Sequence, residues 1–291
     1  MSVKKYCFDG SKKLSLKKIP TNSKQDKVEK EEILEKTAEN QAKISALQEK
    51  LYADGREGLI ILLQAMDAAG KDSTIKHVMS GINPQGVHVY SFKAPSSEEL
   101  AHDFFWRIVK CLPERGKIAI FNRSYYEDVL GVQVRELNKT YHMADRVISQ
   151  DTDTFYKKRY GHIRAFEDYL YENSYRIVKI FLNVSKEKQK ERFLERIDTP
   201  EKNWKFSSSD LRVRKDWDKY QKVYEDVINQ TSTADNPWYV LPADQKWYTR
   251  YLVSEAILSA MEAIDPQFPV MPQEERDRLG ESRAELMAEK D

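Results

Sequence analysis

The sequence has little of what a secreted or membrane-spanning protein needs. Only two of its 291 residues are cysteines, Cys7 and Cys111, and they lie far apart in the chain. This number excludes a disulfide framework and fits a reducing compartment. The longest apolar run, residues 59–63, is far too short to cross a bilayer. The lysine-rich residues 1–18 lack the apolar stretch of a signal peptide. We therefore expect a soluble, cytoplasmic protein that has no membrane partner.

The chain also lacks a large excess of charge and the common catalytic histidine patterns. Its 48 lysines and arginines balance 47 aspartates and glutamates, which gives a formal net charge of +1. A nearly neutral molecule has no strong overall field, which argues against a nucleic-acid partner, so a polyanionic ligand would need a local basic patch. The five histidines show no metal-site spacing, and no serine–histidine–acid set is evident. A histidine metal centre is therefore not expected.

Three segments of the chain differ in composition. Residues 1–54 begin with a polar, lysine-rich stretch, which we expect to form a loosely held arm, and continue with an amphipathic helix over residues 28–52. Residues 55–264 carry the apolar patterns of a folded core. Residues 265–291 contain three prolines and then mostly charged residues, which predicts a surface tail or a weak terminal helix. The length fits one α/β unit with extensions.

Strand-like and helix-like segments alternate through this core. Residues 59–63 form a continuous apolar run, which is typical of a strand buried on both faces. Alternation of such runs with helical patterns indicates a parallel sheet covered by helices. The other predicted strands are residues 87–92, 118–121, 176–184 and 238–241. The predicted helices are residues 70–79, 97–111, 145–173, 186–197, 210–230 and 245–264.

The first predicted strand runs directly into a loop that resembles a phosphate-binding loop. Gly70 and Lys71 stand where a Walker A motif has them, whereas Ala65 replaces the opening glycine and the hydroxyls of Ser73 and Thr74 come late. A helix pattern follows, so free backbone N–H groups and the positive helix end would face a phosphate, to which the lysine adds a charge. The alternative is an ordinary strand–turn–helix with a solvated lysine. The predicted phosphate-binding residues of the loop are Ala68, Ala69, Gly70, Lys71, Asp72, Ser73 and Thr74.

Acidic residues in two places predict a divalent metal. Asp67 lies inside the loop, where phosphate would repel its carboxylate unless a cation such as Mg²⁺ lay between them. Arg123, Glu127 and Asp128 follow the strand at residues 118–121, and ligands of open α/β sheets sit outside such strand ends. The arginine is suited to a transferring phosphoryl group, and the acids are suited to the metal. The alternative is that Arg123 pairs with Glu127 at four-residue spacing on a helix turn.

Several further cations fall where they would face the same cleft. Lys76 and His77 lie one turn beyond the loop, and Lys93 and Arg107 follow the second strand. Residues 186–210 form a basic helix and loop, which predicts a mobile lid over phosphates. The alternative is a solvated charged face that nearby glutamates partly balance. The phosphate-binding residues predicted among these cations are Lys76, Lys93, Arg192 and Arg196. Lys202 and Lys205 are further basic residues of the same lid region.

Five ordered motifs together resemble the type 2 polyphosphate kinases. The resemblance runs from about residue 51 to residue 264 and is far more specific than the lysine loop alone. That family is similar in fold to the thymidylate-kinase-like P-loop kinases. The resemblance therefore implies an α/β fold, with a central five-stranded parallel sheet flanked by helices and with a helical lid around residues 186–210. The motifs are residues 65–74, SFKAP at 91–95, residues 121–130, KNWKF at 202–206 and PADQKWY at 242–248.

The resemblance also implies roles for the matching residues. Asp67, Lys71 and Thr74 match the Walker A positions of the family. Many members carry aspartate at the Walker B position of Asn122, and asparagine there is similar to the subgroup that phosphorylates both nucleoside monophosphates and diphosphates. Asparagine is a weaker metal ligand, which shifts the expected metal binding towards Asp67 and Glu127. The implied catalytic residues are Asp67, Lys71, Arg123 and Glu127, and the implied metal ligands are Asp67, Glu127 and Asn122.

The reaction that the resemblance implies is a reversible, Mg²⁺-dependent transfer, with Mn²⁺ as an alternative metal. Inorganic polyphosphate gives its terminal phosphoryl group to AMP, ADP or other nucleoside mono- and diphosphates, with ATP as one product. A homo-oligomer is expected. Two alternatives stay open: an ATP-dependent kinase that uses the same loop, and a polyphosphate- or nucleotide-binding regulator without turnover. The acids beside the phosphate cations favour an enzyme, because binding alone does not need metal-positioning carboxylates.

Overall fold

A computed structural model describes residues 3–289, so the outermost residues of the predicted arm and tail, 1–2 and 290–291, lie outside the described residues. The described chain folds around one sheet. No helix within it is both long enough and apolar enough to span a membrane. The strands are β1 (Cys7–Phe8), β2 (Gly58–Ala65), β3 (Val87–Ser91), β4 (Ile118–Asn122), β5 (Tyr175–Asn183) and β6 (Trp238–Pro242).

The sheet has the strand order β1-β6-β5-β2-β4-β3. Strands β2 to β6 are parallel, which confirms the five predicted strands and their direction. The prediction of a wholly parallel, five-stranded sheet needs one correction. The short strand β1 pairs antiparallel with the edge of β6, where Cys7 lies opposite Tyr239, so the sheet is mixed and has six strands. Two residues are too few to leave an alternating pattern in the sequence.

Helices cover both faces of the sheet, as expected for parallel strands joined by crossovers. They include the long amphipathic helix predicted near the N-terminus. The helices are α1 (Lys30–Asp54), α2 (Lys71–Val78), α3 (Ser97–Leu100), α4 (Trp106–Val109), α5 (Gly131–Val134), α6 (Asp145–Ile148), α7 (Thr152–Glu172), α8 (Lys186–Asp198), α9 (Ser208–Lys215), α10 (Trp217–Thr231), α11 (Lys246–Ile264) and α12 (Gln273–Ala288).

Three of the predicted helices are interrupted. Residues 97–111 hold α3 and α4, residues 145–173 hold α6 and α7, and residues 210–230 fall on α9 and α10. The break before α7 has a local cause, because the Asp151 side chain accepts the Thr154 N–H at 2.9 Å. Such a cap competes with continued helix, and apolar periodicity alone does not reveal it.

The lysine-rich N-terminal segment packs on the core and does not form a loose arm. Its apolar side chains Val3, Tyr6, Leu14 and Leu16 are buried. Asn229 on α10 fixes the segment, since its side-chain oxygen accepts the Leu14 N–H at 2.7 Å and its amide donates to the Leu14 carbonyl at 3.0 Å. The surrounding lysines hid these few buried positions in the sequence. Helix α1 packs against α11 of the same chain, whereas every side chain of α12 is exposed.

The centre of the sheet positions the site. All eight residues of β2 are buried, and the strand lies between β5 and β4. Leu63 of β2 is opposite Asn122 of β4, and the Arg123 N–H donates to the Leu63 carbonyl at 3.0 Å. The loops that leave these two strands therefore start side by side at the carboxyl edge of the sheet, where open α/β sheets hold their ligands.

Candidate active site

The loop after β2 forms a cradle at the start of α2. Gly70 closes it with a φ of 106°, in the left-handed region that glycine adopts without strain, and Ala68 is also left-handed with a φ of 60°. Lys71 is the first residue of α2, and no side chain caps this helix. The N–H groups of Lys71, Asp72 and Ser73 therefore have no intrahelical acceptor. Together with the positive helix end, they are suited to an anion.

The Lys71 side chain lies inside this cradle. It is buried, and its ammonium donates to the Ala65 carbonyl at 3.2 Å. Burial lowers the pKa of Lys71 and the charge of Arg123 lowers it further, whereas Asp67 and Glu127 oppose the shift. The alternative of a solvated lysine is therefore wrong. A buried ammonium with a single carbonyl acceptor has donors left for an anionic ligand.

Asp67 and Arg123 join the two loops by an ion pair. The Arg123 Nη2 lies 2.9 Å from the Asp67 Oδ1, and the two side chains remain 40% and 18% exposed. Arg123 has a φ of 65° and precedes the 3₁₀ turn at Tyr125–Val129, so it does not share a helix face with Glu127. The alternative of a local Arg123–Glu127 helix pair is wrong. The observed pair bridges 56 positions of sequence and stays open to the cleft.

Glu127 lies close to the Asp67–Arg123 pair, on the 3₁₀ turn that follows β4. With the Gln64 amide oriented to satisfy both of its ends, the nitrogen donates to the Glu127 Oε1 at 3.0 Å and the oxygen accepts from Ser124. Burial raises the pKa of Glu127, Arg123 and Lys71 oppose the shift, and Asp67 adds to it. Two carboxylates and two cations thus surround one small space.

A buried ion pair supports the segment that carries Glu127. Lys179 on β5 and Glu167 on α7 are essentially without exposure, and their Nζ and Oε2 atoms lie 2.7 Å apart. The Tyr125 and Tyr126 hydroxyls each donate to the other Glu167 oxygen at 2.7 Å. The Lys179 ammonium also donates to the Thr231 carbonyl at 2.7 Å. Every strong donor and acceptor here is satisfied, which fixes the backbone next to Glu127.

Two cavities of similar size and different lining meet at these residues. One has a volume of about 500 Å³ and is rich in aromatic rings, whereas the other, of about 490 Å³, is lined by many cations. Four residues line both cavities: Asp67, Phe92, Lys93 and Arg123. The rings of the aromatic cavity are Phe92, Phe104, Tyr125, Tyr141, Tyr220 and Tyr224. The cations of the second, cationic cavity are Lys71, Lys93, Arg123, Arg192, Arg196, Lys202, Lys205 and Lys246.

The acids fit a magnesium site that a substrate completes. Asp67 and Glu127 both line the aromatic cavity, and Asp67 also faces the cationic one. Residues 3–289 contain no group of three or more histidine, cysteine or acidic side chains able to hold a metal alone. Mg²⁺ in kinases needs only one or two carboxylates besides water and phosphate oxygens. Asn122, unlike Glu127, lines only the cationic cavity, and its amide donates to the Asp72 Oδ1 at 2.6 Å.

The predicted lid is a helical unit whose side chains line the cationic cavity. It consists of α8, a 3₁₀ turn at Pro200–Lys205 and α9. The Asn203 amide donates to the carbonyls of Arg196 and Ile197, both at 2.8 Å, and so closes the end of α8. Arg196 donates to the Lys205 carbonyl at 3.2 Å and lies 3.8 Å from Asp210 on α9. These contacts hold Arg196 at the rim of the cavity.

Arg192 lines the cationic cavity and also holds the phosphate loop in place. Its guanidinium is buried beneath the loop, where Nη1 donates to the carbonyls of Ala68 and Ala69 at 3.0 and 2.7 Å. Its Nη2 donates to the carbonyls of Ala243 and Asp244 at 2.8 and 3.1 Å. Arg192 therefore braces the phosphate loop against the segment after β6. Arg192 and Arg196 lie four residues apart on one helix, so the sequence alone could not show that the first braces the loop while the second lies at the cavity rim.

Four other predicted phosphate-binding residues lie at different depths. Ser73 lines the cationic cavity, whereas the Thr74 side chain is buried and lines neither cavity. Lys93 lines both cavities, and its carbonyl accepts from Arg107 at 2.9 Å. Lys76 is exposed on α2 and lines neither cavity. Of the two predicted hydroxyls, that of Ser73 is therefore the one that faces the cationic cavity.

Sequence reasoning passed over several residues of the site. Lys246 lines the cationic cavity at the start of α11, and Arg135 lines the aromatic cavity. Lys246 lies within the PADQKWY motif that carried part of the resemblance, directly after a parallel strand, so its position was available as a signal. Arg135 sits on an irregular stretch after α5, where no periodic pattern marks a side chain as facing a cavity.

Comparisons with known proteins identify the family that the chain resembles. The family model described as polyphosphate kinase 2 matches residues 27–269. The chain is 44% identical to an ADP-polyphosphate phosphotransferase of Rhodopseudomonas palustris, over 99% of both chains. It is 42% identical to an AMP/ADP-polyphosphate phosphotransferase of Meiothermus ruber, over 92% of this chain and 96% of the relative.

A solved structure extends the similarity to the fold. The crystal structure of polyphosphate kinase 2 from Arthrobacter aurescens superposes with a TM-score of 0.85 at 37% identity and covers 97% of both chains. This match, with the parallel strands and the loop after β2, shows the P-loop kinase fold. The family model covers far more than half of the sequence. The chain therefore belongs to the polyphosphate kinase 2 family.

Proposed function

We propose that this chain is a polyphosphate-dependent nucleotide kinase, which transfers the terminal phosphoryl group of inorganic polyphosphate to AMP and ADP. One observation carries the proposal: a cavity rich in aromatic rings and a cavity rich in cations meet at a shared wall that contains Asp67 and Arg123. The names of the Rhodopseudomonas and Meiothermus relatives support the choice of donor and acceptors. Other nucleoside mono- and diphosphates are further acceptors under this proposal.

Each cavity suits one substrate. A nucleobase and ribose offer flat apolar surface with a few polar atoms, which fits a space lined by Phe104, Tyr141 and Tyr224. Inorganic polyphosphate offers only oxygen atoms and negative charge, which fits the cationic cavity above the phosphate loop. The acceptor phosphate would then reach the shared wall from one side and the end of the polyphosphate from the other. This assignment also places the donor, and not the nucleotide, in the Walker loop.

The chemistry needs positioning and charge neutralisation more than proton transfer. An oxygen of the acceptor phosphate attacks the terminal phosphorus of the chain and forms a new P–O bond. The bond from that phosphorus to the bridging oxygen breaks, and its electron pair leaves with the shortened chain. The attacking oxygen is already ionised near neutral pH, so no general base is required. Lys71 and Arg123 would neutralise the transferred group, and Arg196 would complete the set from the lid.

The carboxylates of Asp67 and Glu127 would hold Mg²⁺, or Mn²⁺ in its place. A bound divalent ion neutralises phosphate oxygens and brings the two polyanions together. The role of the chain is to keep both acids on one side of the cleft, because the Asp67–Arg123 pair and the Gln64–Glu127 contact fix their directions. Asn122 is the least suited of the three predicted ligands, since its amide already contacts Asp72.

Donor dependence tests this proposal directly. Purified protein with Mg²⁺ and ADP should form ATP only when polyphosphate is added, and AMP in place of ADP should yield ADP. Lys71→Ala should abolish product formation while the thermal unfolding midpoint stays near that of the wild type. Lys43→Ala, which changes an exposed lysine of α1, is the matched control. Product formation from ATP and a small-molecule acceptor, with none from polyphosphate, would instead identify an ATP-dependent kinase.

Tight binding of polyphosphate without any product would identify a regulator and would refute the proposal. The expectation of a homo-oligomer stays a prediction, which light scattering of the purified protein can check.

A further inference from the structure

The surface between α2 and α11, called the groove below, leads away from the cationic cavity and the transfer site. Ser73 on α2 and Lys246 on α11 line the cavity itself. His77 and Arg250 lie four residues further along the same two helices, so they occupy the same helix faces one turn beyond the cavity. The two helices pack against each other. The groove therefore begins inside the cavity and ends one helical turn beyond it.

Arg250 is the unusual residue of this groove. It is only partly exposed, and its buried Nε has no hydrogen-bond partner within residues 3–289. No carboxylate neighbour counters the effect of burial, which lowers the pKa of the guanidinium. Arg192 is the instructive contrast, since its guanidinium makes four hydrogen bonds to carbonyl groups. A buried cationic donor without an acceptor is costly, so a site that keeps one is suited to an anionic ligand.

The other groups of the groove are cationic or neutral. Burial lowers the pKa of Lys246, Glu195 opposes the shift, and Arg192, Arg250 and Lys202 add to it. Burial lowers the pKa of His77, and Arg250 lowers it further, so this ring is a neutral hydrogen-bonding group at neutral pH. Lys76, which lines neither cavity, is exposed on α2 beside His77 and adds a mobile positive charge.

The nearby acids are already paired. Glu195 on α8 lies 2.5 Å from Lys202, and Asp72 accepts the Asn122 amide at 2.6 Å. The positive charges of Lys246 and Arg250 are therefore the ones left for a ligand. A long polyphosphate cannot fit in a cavity of about 490 Å³, so its unreacted part must leave along some surface. The groove between α2 and α11 starts at Ser73 and Lys246 of this cavity and carries both of these cations, so it suits the unreacted part of the chain.

We infer that Lys76, Lys246 and Arg250 form an outer track, which binds the distal phosphates of a long polyphosphate chain while its end reacts. The inference rests on the proposed function, because it assumes that polyphosphate occupies the cationic cavity. The track touches no reacting atom. It binds the ground state and the transition state equally, so its loss should raise KM and leave kcat almost unchanged. Its effect should also depend on chain length.

Chain length is therefore the variable in the test. The variant Arg250→Gln keeps a polar side chain but removes the charge. We expect its KM for long-chain polyphosphate to rise by roughly tenfold, as for the loss of one charge-assisted contact. For the shortest chain that the wild type accepts, its KM and kcat should match the wild type. The advantage of long over short chains should also weaken with added salt in the wild type and less so in the variant.

Two further variants keep the inference open to refutation. Lys76→Gln changes an exposed side chain that cannot disturb packing, and it should raise KM for long chains only, by a smaller factor. Lys43→Gln, on the exposed face of α1, should leave KM unchanged for both long and short chains. An equal loss for long and short chains, or no loss with either variant, would overturn the track. If Arg250→Gln fails to fold, Lys76→Gln decides alone. Absence of any product from the wild type would instead refute the proposed function.

Discussion

Two ion pairs lie beside the segment that follows β4, and they differ in solvent exposure and in how fully their hydrogen bonds are satisfied. Lys179 and Glu167 are shut away from solvent, and two tyrosine hydroxyls and a backbone carbonyl complete their hydrogen bonds. Arg123 and Asp67 lie above the segment, remain partly exposed and face two cavities. The Lys179–Glu167 pair, called the lower pair, has no capacity left for a ligand. The Arg123–Asp67 pair, called the upper pair, can exchange its contact for a phosphate or a metal ion. Satisfied charges thus define the scaffold, and exchangeable charges define the site.

The largest effect should follow from breaking the upper pair. Arg123→Ala removes the fork of donors at the shared wall of the two cavities, and we expect the rate of phosphoryl transfer to fall by about 10³–10⁵, the range known for an arginine that stabilises a transferring phosphoryl group. Stability should hardly change, because the pair is partly exposed. Initial rates with polyphosphate and ADP, together with a thermal unfolding curve, check both statements.

The control for this variant is Arg115→Ala, an exposed arginine close to the opposite edge of the sheet, which should keep full activity. Arg123→Lys should recover part of the rate, since lysine restores the charge without the planar fork. A normal rate in Arg123→Ala would mean that the exchangeable pair is not part of the chemistry.

Breaking the lower pair should act on stability instead. Lys179→Met leaves the Glu167 carboxylate buried without its cation, and the free energy of unfolding should fall by about 3–5 kcal/mol. Urea unfolding of the purified variant measures this loss. The double variant Lys179→Met/Glu167→Gln removes the unpaired charge but keeps an oxygen for the two tyrosine hydroxyls, so it should recover more than half of the loss. A double variant that is no more stable than Lys179→Met would contradict a role for the charge itself.

The pH dependence of Glu127 should separate activity from stability. Burial raises the pKa of this carboxyl, so on acidification it takes up a proton earlier than an ordinary glutamate. The protonated form cannot hold a metal, and the apparent affinity for Mg²⁺ should fall as pH drops through the raised pKa. Stability should move the other way. A raised folded pKa stabilises the fold fully below the unfolded value of about 4.3, and this contribution is lost as pH rises through the folded value.

Magnesium titrations of activity and urea unfolding, each measured from acidic to neutral pH, test the two directions. Glu127→Gln should remove the pH-dependent part of the stability and should weaken the response to Mg²⁺ at every pH. Glu114→Gln, at an exposed site before β4, is the matched control. An unchanged pH profile of stability in Glu127→Gln would show that another group is responsible.

The sequence predicted those features that neighbouring residues encode. The run of apolar residues before Lys71 marks β2, and Gly70 followed by a helical pattern marks the loop, so both follow from a short window of residues. The sequence could not predict that Asp67 pairs with Arg123, because that contact depends on which strand lies beside β2. For the same reason it could not distinguish Arg192, which braces the loop, from Arg196, which faces the cavity rim.

Lys179 shows a further limit of prediction from the sequence. It interrupts the apolar run of β5, where a charged residue argues against a buried strand, and yet residues 177–183 of the strand are all buried. Its partner Glu167 lies on α7, the helix that precedes the strand, and on a helical wheel it is only one more glutamate among charged residues. A buried charge becomes acceptable only when tertiary structure supplies its counter-ion, which local patterns do not contain.

The smallest effect should come from removing a single hydroxyl group that donates to Glu167 of the lower pair. Tyr126→Phe keeps the buried ring but removes the O–H that donates to Glu167 at 2.7 Å. Glu167 retains its contacts with Tyr125 and Lys179, so no charge is left unpaired, and we expect a loss of about 1–2 kcal/mol in the free energy of unfolding. Glu127 is the next residue along the chain. The phosphoryl-transfer rate of Tyr126→Phe therefore also shows whether a change in the buried pair affects the site. A rate within twofold of the wild type, at unchanged Mg²⁺ dependence, would keep them separate, whereas a weakened response to Mg²⁺ would mean that the satisfied pair also positions the metal ligand.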